Sequence, residues 1–403
     1  MSSNLDKIFG TVDPLQKSVT QSITRRRLAK KKLMTSPRLA SLDGWRAVAI
    51  LMVLGNHSTF AAGFPNGLNN FWNWFFDGGL GVRFFFVISG FLITWLMTLE
   101  KDKNGSINLR EFYIRRCLRI LPVYFAFLGI LAALQLIGFL KQNWISWVGN
   151  LTFTKDFFIG DPFSGHLWSL SVEEQFYLVW PSLFILLMRT HKIQFATNTL
   201  VFVICIAPFF RLFGAAYPGR FAPLFGIQSP LLCLDSLAFG CACAILYAHK
   251  RETIERHFKT RSALVVTVAL MLILFPHIVT RLEQIQIQNF TLNFVMIEFG
   301  NSLQALGFSI LLLHSVVMPD WSFYRILNWA WVRQIGILSY SLYIWQQLFW
   351  RPPENWQLSR VWWMGLWIIP LFAVAAISYY GLERPFFKLR NRYREVKLTA
   401  TLN

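Results

Sequence analysis

Leu42–Phe64, LDGWRAVAILMVLGNHSTFAAGF, is long and apolar enough to cross a bilayer, yet it carries Arg46 near its start and His57 further along. Ionisable groups inside a spanning helix are costly and mark a functional site by default. An eleven-residue spacing is three helical turns plus about 20°, with a rise of about 16 Å. Arg46, Ile50, Val53 and His57 therefore share one face. The guanidinium lies near one membrane surface, and an imidazole that titrates near neutrality lies at depth.

Working outward, 55% of the 403 residues are hydrophobic, 17% aromatic and only 15% charged. That composition excludes a soluble globular chain. Seventeen Trp and 39 Phe suit aromatic belts at two membrane interfaces. A net charge of +19 does not mean nucleic acid here. The basic residues cluster in short segments between apolar stretches, where orientation signals and anionic lipid headgroups account for them. Cys117, Cys205, Cys233, Cys241 and Cys243 show no metal-ligand spacing, so neither zinc nor a disulfide is expected.

Hydropathy predicts an all-α, polytopic membrane bundle of about ten spans, near 42–64, 79–99, 118–140, 173–189, 197–217, 229–247, 262–280, 292–317, 331–350 and 361–381. The connecting loops alternate strictly between basic and poor in Lys and Arg, which places both termini in the cytoplasm. A basic tail, 1–41, with no cleavable signal, precedes a membrane domain at 42–383, and a second basic tail occupies 384–403. The apolar stretch Trp144–Phe158 is too short to span, so 144–172 reads as a re-entrant or interfacial segment.

Three constellations carry chemistry. In the first, Arg46 and His57 share their face with Asn56 beside the histidine, and the imidazole is placed to take a proton from an attacking hydroxyl. In the second, FYIRRCLRILPVY (Phe112–Tyr124), three guanidiniums, Arg115, Arg116 and Arg119, crowd about one turn at the same leaflet as Arg46. Such a cluster suits a multiply phosphorylated ligand, although topology and lipid headgroups explain it equally. The third, HLWSLSVEEQFYLVWP (His166–Pro181), pairs Glu173 with Glu174. Ser171 and Glu174 fit a capping box that opens the fourth span. Either glutamate is a candidate to orient His57 as a triad carboxylate does.

Other features have simpler readings. Ser89-Gly90 is expected to be a packing notch rather than a nucleophile. Arg83 reads as an arginine snorkelling to the outer surface, and Glu383 as a partner of Arg384. ILSYSLYIWQQ (Ile337–Gln347) offers hydroxyls and amides to a polar cavity. Tyr340 from that stretch joins Asn56, His166 and Tyr177 as candidate acceptor contacts.

Together these motifs resemble the acyltransferase-3 family of integral membrane acyltransferases. The matching blocks are LDGWRAVAILMVLGNH, GVRFFFVISGFLI, FYIRRCLRILPVY, HLWSLSVEEQFYLVWP, SYSLYIW and LERPFF, in family order from residue 42 to 387. The resemblance implies ten spanning helices, an acyl-CoA donor, most often acetyl-CoA, arriving from the cytoplasm, and an acceptor modified outside. It places the family's arginine-to-histidine motif on Arg46 and His57, and its arginine motif on Arg115, Arg116 and Arg119. Two positions depart from the family: Arg83 stands where many members are acidic, and Gln346 where many have histidine. About sixteen residues follow Phe387, so handover to a second catalytic domain is expected to use a separate protein. The expected function is O-acylation of a cell-envelope glycan or its lipid-linked precursor at a bacterial cytoplasmic membrane, without a metal. A macrolide or lipid hydroxyl is the alternative acceptor, a covalent acyl-enzyme the alternative mechanism, and a transporter or flippase the alternative class.

Overall fold

A computed structural model describes residues 40–61, 64–158, 161–189, 193–216, 230–286, 290–350 and 365–389. Both basic tails fall outside them, apart from 40–41 and 384–389. Among the described residues every regular element is helical.

The first stretch forms α1, Ala40–Ser58, which ends six residues before the expected boundary. A short α2, Asn69–Phe75, leads into α3, Gly78–Asn104. Asp77 caps α3 by accepting from Leu80 N at 3.0 Å, and Gly105, at φ 75°, ends it in the left-handed region. Asn108 caps α4, Leu109–Leu136, accepting from Glu111 N at 3.1 Å. The segment expected to be re-entrant holds α5, Trp144–Leu151, and a 3₁₀ turn at Lys155–Phe157. Then come α6, Leu167–Arg189, and α7, Ile193–Ala216. The long α8, Pro230–Gln286, has non-helical backbone at Lys250 and Arg261, so it contains both the sixth and the seventh expected spans. It is followed by α9, Phe290–Val317, α10, Ala330–Trp345, α11, Gln347–Trp350, and α12, Ile368–Ser378.

Six described helices are long and apolar enough to cross a membrane, and the chain is an integral membrane protein. Helix α1, with its charged and small residues, and the sixteen-residue α10 are not among the six. The span that contains α3 is 78% buried, whereas that of α7 is 22% buried. So α3 lies at the centre, and α7 turns Val201, Phe202 and Phe209 outward, where a bilayer would solvate them.

Backbone contacts seat α1 against its neighbours. A Cβ on Gly336 of α10 would overlap the Asp43 carbonyl of α1. A Cβ on Gly81 of α3 would stand 2.6 Å from Ala49 O. The Ser89-Gly90 notch is real at Gly90, where a Cβ would overlap Leu237 O of α8, and Gly240 meets Val87 O reciprocally. Small residues that let backbones touch are the usual device of membrane helix packing.

The fourth span does not start at a capping box. Helix α6 begins at Leu167, so Ser171 lies inside it, where its Oγ donates to Leu167 O and accepts from Lys155 N. A turn made earlier, with Leu167 N bonding Ser164 O, starts the helix instead.

Candidate active site

Helix α1 presents Arg46 and His57 at two different sites. At its C-terminal end His57, Asn56 and Val53 line a cleft of about 560 Å³, together with Gly78 and Gly79 of α3, Asp161, His166, Tyr343, Gln347 and Trp350. That volume is in the range of small-molecule sites.

His57 Nδ1 lies 2.9 Å from Oε1 of Gln346, at the break between α10 and α11. An amide oxygen only accepts, so Nδ1 carries the proton and Nε2 keeps its lone pair. The expected carboxylate does not orient this histidine; a neutral amide does. Gln346 is completely buried, and its Nε2 has no partner.

His166 is held in the complementary tautomer. Its Nε2 donates to the carbonyl of Ile344 at 3.0 Å, which leaves Nδ1 as a buried lone pair without a hydrogen bond. Gln347 is near, but its Oε1 is also without a partner. Burial pushes the His166 imidazole down to about 4, so it is neutral at physiological pH. Tyr343 fixes the turn beneath it by donating to His166 O at 2.8 Å and pairing with Ser169.

The loop behind the cleft is held by buried polar groups. Lys155 Nζ lies 3.7 Å from Asp161 and 2.9 Å from Ser146 Oγ. Ser164 donates to Asp161 and receives Gln142 and Asn150 amides at 2.9 and 2.8 Å. Burial raises the nearby Asp156 carboxyl to about 6. Asn56 reaches the cleft wall while donating to Asn73 Oδ1 at 3.1 Å.

At the other site, Glu173 accepts from the hydroxyls of Ser89 and Tyr177. Arg116 stacks over the Tyr177 ring at 4.9 Å, and Arg119 over Phe387 at 5.8 Å. No hydrogen bond or ion pair to a described residue engages Arg46, Arg116 or Arg119. Arg115 differs. It is paired with Glu100 at 2.8 Å and Glu111 at 3.5 Å, so its charge is already compensated.

Several expected site residues are therefore reassigned. Glu173 is engaged by Ser89 and Tyr177 and does not touch His57. Glu174 keeps one buried oxygen without a partner and also has no bond to His57. Tyr177 belongs with Glu173 rather than with the cleft. Tyr340 donates to Ile120 O at 2.8 Å and does not line the cleft. Glu383 accepts from Ser341 at 2.6 Å, while Arg384 stacks over Tyr380 instead. Gln347 lines the cleft and Gln346 meets His57, as the amides of Ile337–Gln347 were expected to face a polar cavity, but the pairing of Gln346 with His57 was not expected. The signals in the sequence were two adjacent amides just beyond SLYIW and the departure from the family pattern at Gln346. Among the described residues no group of three His, Cys, Asp or Glu is arranged to hold a metal ion.

A family model described as an acyltransferase domain matches residues 39–380. The chain is 24% identical over 370 residues to the peptidoglycan O-acetyltransferase OatA of Listeria monocytogenes, covering 86% of this chain and 56% of that protein. It is 25% identical over 374 residues to the putative peptidoglycan O-acetyltransferase YrhL of Bacillus subtilis, covering 86% and 54%. A putative O-acetyltransferase of Staphylococcus aureus is 36% identical over 170 residues, covering 38% of this chain and 26% of that protein. The chain thus spans about half the length of the first two relatives. No solved structure matches it.

Proposed function

Since this chain belongs to the acyltransferase-3 family of membrane proteins, we propose that it is an O-acetyltransferase of the bacterial cytoplasmic membrane. It moves an acetyl group from a cytoplasmic acyl-CoA to a hydroxyl of a cell-envelope glycan, with peptidoglycan or its lipid-linked precursor as the substrate class. The observation that carries the reading is His57: a histidine with its tautomer fixed by Gln346 and its free nitrogen at a cleft, on the same helix as Arg46. The two relatives named for peptidoglycan support the choice of acceptor.

In this mechanism Arg46, Arg116 and Arg119 bind the donor's phosphates, because they are the arginines of the motifs that form no ion pair with a described carboxylate. The donor's arm follows α1 for about 16 Å to His57. The acceptor hydroxyl donates to the free nitrogen of His57, which takes its proton as the oxygen attacks the thioester carbonyl. A carbon–oxygen bond forms, the carbon–sulfur bond breaks, and the proton on the imidazole passes to the departing thiolate. His166 Nδ1 and Gln347 Oε1 are acceptors available to neighbouring acceptor hydroxyls. The Gln346 amide holds the ring in place but supplies no charge to stabilise an imidazolium.

The test is mass spectrometry of envelope glycans from cells with and without the protein, after feeding isotope-labelled acetate. Label is expected as O-acetyl on muramyl or glucosaminyl residues, in a protein-dependent manner. Identical glycans in both strains, with labelled acetyl on another small molecule or on lipid, would overturn the choice of acceptor.

A further inference from the structure

The cleft beside His57 carries aromatic faces that the reaction above does not use. Phe60, in the turn that follows α1, lines it and is 58% exposed. Its ring centroid lies 5.7 Å from that of Trp350 and 6.2 Å from that of His57, and Trp350 lies 5.8 Å from His57. The three rings are tilted by 40° to 56° rather than stacked, so neither neighbour covers the face of Phe60. Aromatic residues at a membrane interface often face lipid, and the other groups lining the cleft decide what these rings receive.

Two of those groups are buried acceptors without donors. His166, 3% exposed, has a bare Nδ1, and Gln347, 7% exposed, has a bare Oε1, although the two side chains are neighbours. A buried acceptor without a hydrogen bond is costly, so both atoms favour a ligand that brings O–H or N–H donors. Charge is compensated. Among the described residues that line the cleft, Asp161 carries the one permanent charge. Its Oδ1 accepts from Phe163 N at 3.0 Å, while Oδ2 accepts from Ser164 and faces Lys155 Nζ at 3.7 Å. No described lysine or arginine lines the cleft to pair with an anion.

An aromatic face, unmet acceptors and compensated charge together disfavour two ligand classes. An acyl chain brings no donors, and an anion finds no cation. A pyranose meets both demands. Its C–H bonds form an apolar, slightly positive face that matches the negative face of an aromatic ring, and its hydroxyls stand around the edge as donors. We propose that the acceptor enters this cleft as a neutral pyranose, its C–H face on Phe60 beside Trp350 and its edge donors on His166 and Gln347. Phe60 is then a specificity-determining residue, because the stacked ring fixes which hydroxyl meets the free nitrogen of His57. The proposal rests on reading the cleft as the acceptor site.

The test uses full-length protein reconstituted in phosphatidylcholine vesicles. Binding of tritiated methyl N-acetyl-β-glucosaminide is measured by equilibrium dialysis, and transfer from radiolabelled acetyl-CoA is followed alongside. Three competitors are added: the sugar's 3-O-carboxymethyl ether, the matching carboxamide ether, and cyclohexylmethanol. The carboxamide should compete about 10- to 100-fold more strongly than the carboxylate, whose charge would be buried without a cation. Cyclohexylmethanol, with one donor, should compete about 10-fold less well than the unlabelled sugar. Phe60→Leu keeps the apolar bulk and removes the ring face. It should raise the Kd and KM for the sugar by about 2- to 10-fold, the range of an aromatic contact, with the KM for acetyl-CoA unchanged. Phe60→Trp should keep wild-type affinity.

Equal competition by carboxylate and carboxamide would overturn the neutral site, and so would the absence of sugar binding to the wild-type protein. Cyclohexylmethanol competing as well as the sugar would make the cleft a plain apolar pocket. Wild-type sugar affinity in Phe60→Leu would assign that ring to the lipid belt. Weakening of sugar and acetyl-CoA alike would make Phe60 a residue of the fold and overturn its part in specificity. Phe60-dependent binding of the neutral sugar without acetyl transfer to it would keep the pyranose site and refute the proposed reaction.

Discussion

Two groups of arginines in this membrane protein have opposite surroundings. Arg211, in α7, is 3% exposed and closed on every side. It meets Asp235 at 2.9 Å, Ser302 at 2.6 Å, and the backbone and carboxylate of Glu298 at 2.8 and 3.6 Å. Arg46, Arg116 and Arg119 make no ion pair or hydrogen bond with a described residue, and Asp43, Glu173, Glu174 and Glu383 act on them only at longer range. The first group ties α7, α8 and α9 together, and removing one member would leave an uncompensated charge. The second group leaves binding capacity unused, as do His57, Gln346 and His166 at the far end of α1. The difference gives a rule to test: here a satisfied charge joins helices, and in the reaction proposed above the open polar groups at the two ends of α1 serve the substrates.

That rule can be broken in four places. His57→Ala should lower acetyl transfer by about 10²–10⁴-fold with the protein still folded, as judged by size-exclusion elution and melting temperature. A turnover close to wild type would remove the base from the mechanism. Asp235→Ala should act on the closed group, destabilising the protein by about 3–5 kcal/mol. The check is thermal unfolding in detergent, and an unchanged melting point with lost activity would reverse the assignment.

Smaller effects are expected for single open arginines. Arg46→Ala or Arg119→Ala should weaken binding of CoA by about 10–100-fold, measured calorimetrically, with no change in acceptor binding. Arg115→Ala, already paired with two glutamates, should change it little. The smallest change is a shift rather than a loss. Gln346→Glu puts a carboxylate against His57, favouring the imidazolium and raising its pKa. A base works only when deprotonated, so the acid limb of the pH–rate profile should move to higher pH. A limb that stays in place would separate Gln346 from the proton transfer.

The helices were legible because apolar length and loop charge are properties of contiguous sequence. Each of the ten expected spans falls largely on helix, although α1 and α6 begin or end a few residues from the expected positions. The start of α6 was misplaced because a turn through Ser164–His166, held by Asp161 and the distant Asn150 and Gln142, outcompetes the local capping pattern. The pairing of His57 was not legible at all. Gln346 lies 289 residues away, and a neutral amide carries no pattern that marks it as a histidine partner. Arg115, Arg116 and Arg119 look equivalent in the sequence; the acids at Glu100 and Glu111 separate the first from the others. Arg83 stands out in the sequence only as a departure from the family pattern.

The glycine contacts of α1, α3, α8 and α10 have a consequence for which molecules can serve as donor. Where backbone touches backbone, as Gly336 meets Asp43 and Gly240 meets Val87, there is no flexible side chain to absorb sliding. Arg46 and His57 share α1, so their spacing of about 16 Å is set by that helix, and these contacts fix where the helix stands among its neighbours. The protein works as a caliper. In the proposed reaction, a carrier whose flexible arm is shorter than that gap, such as a bare acyl phosphate, would occupy the arginines without presenting its carbonyl to the histidine.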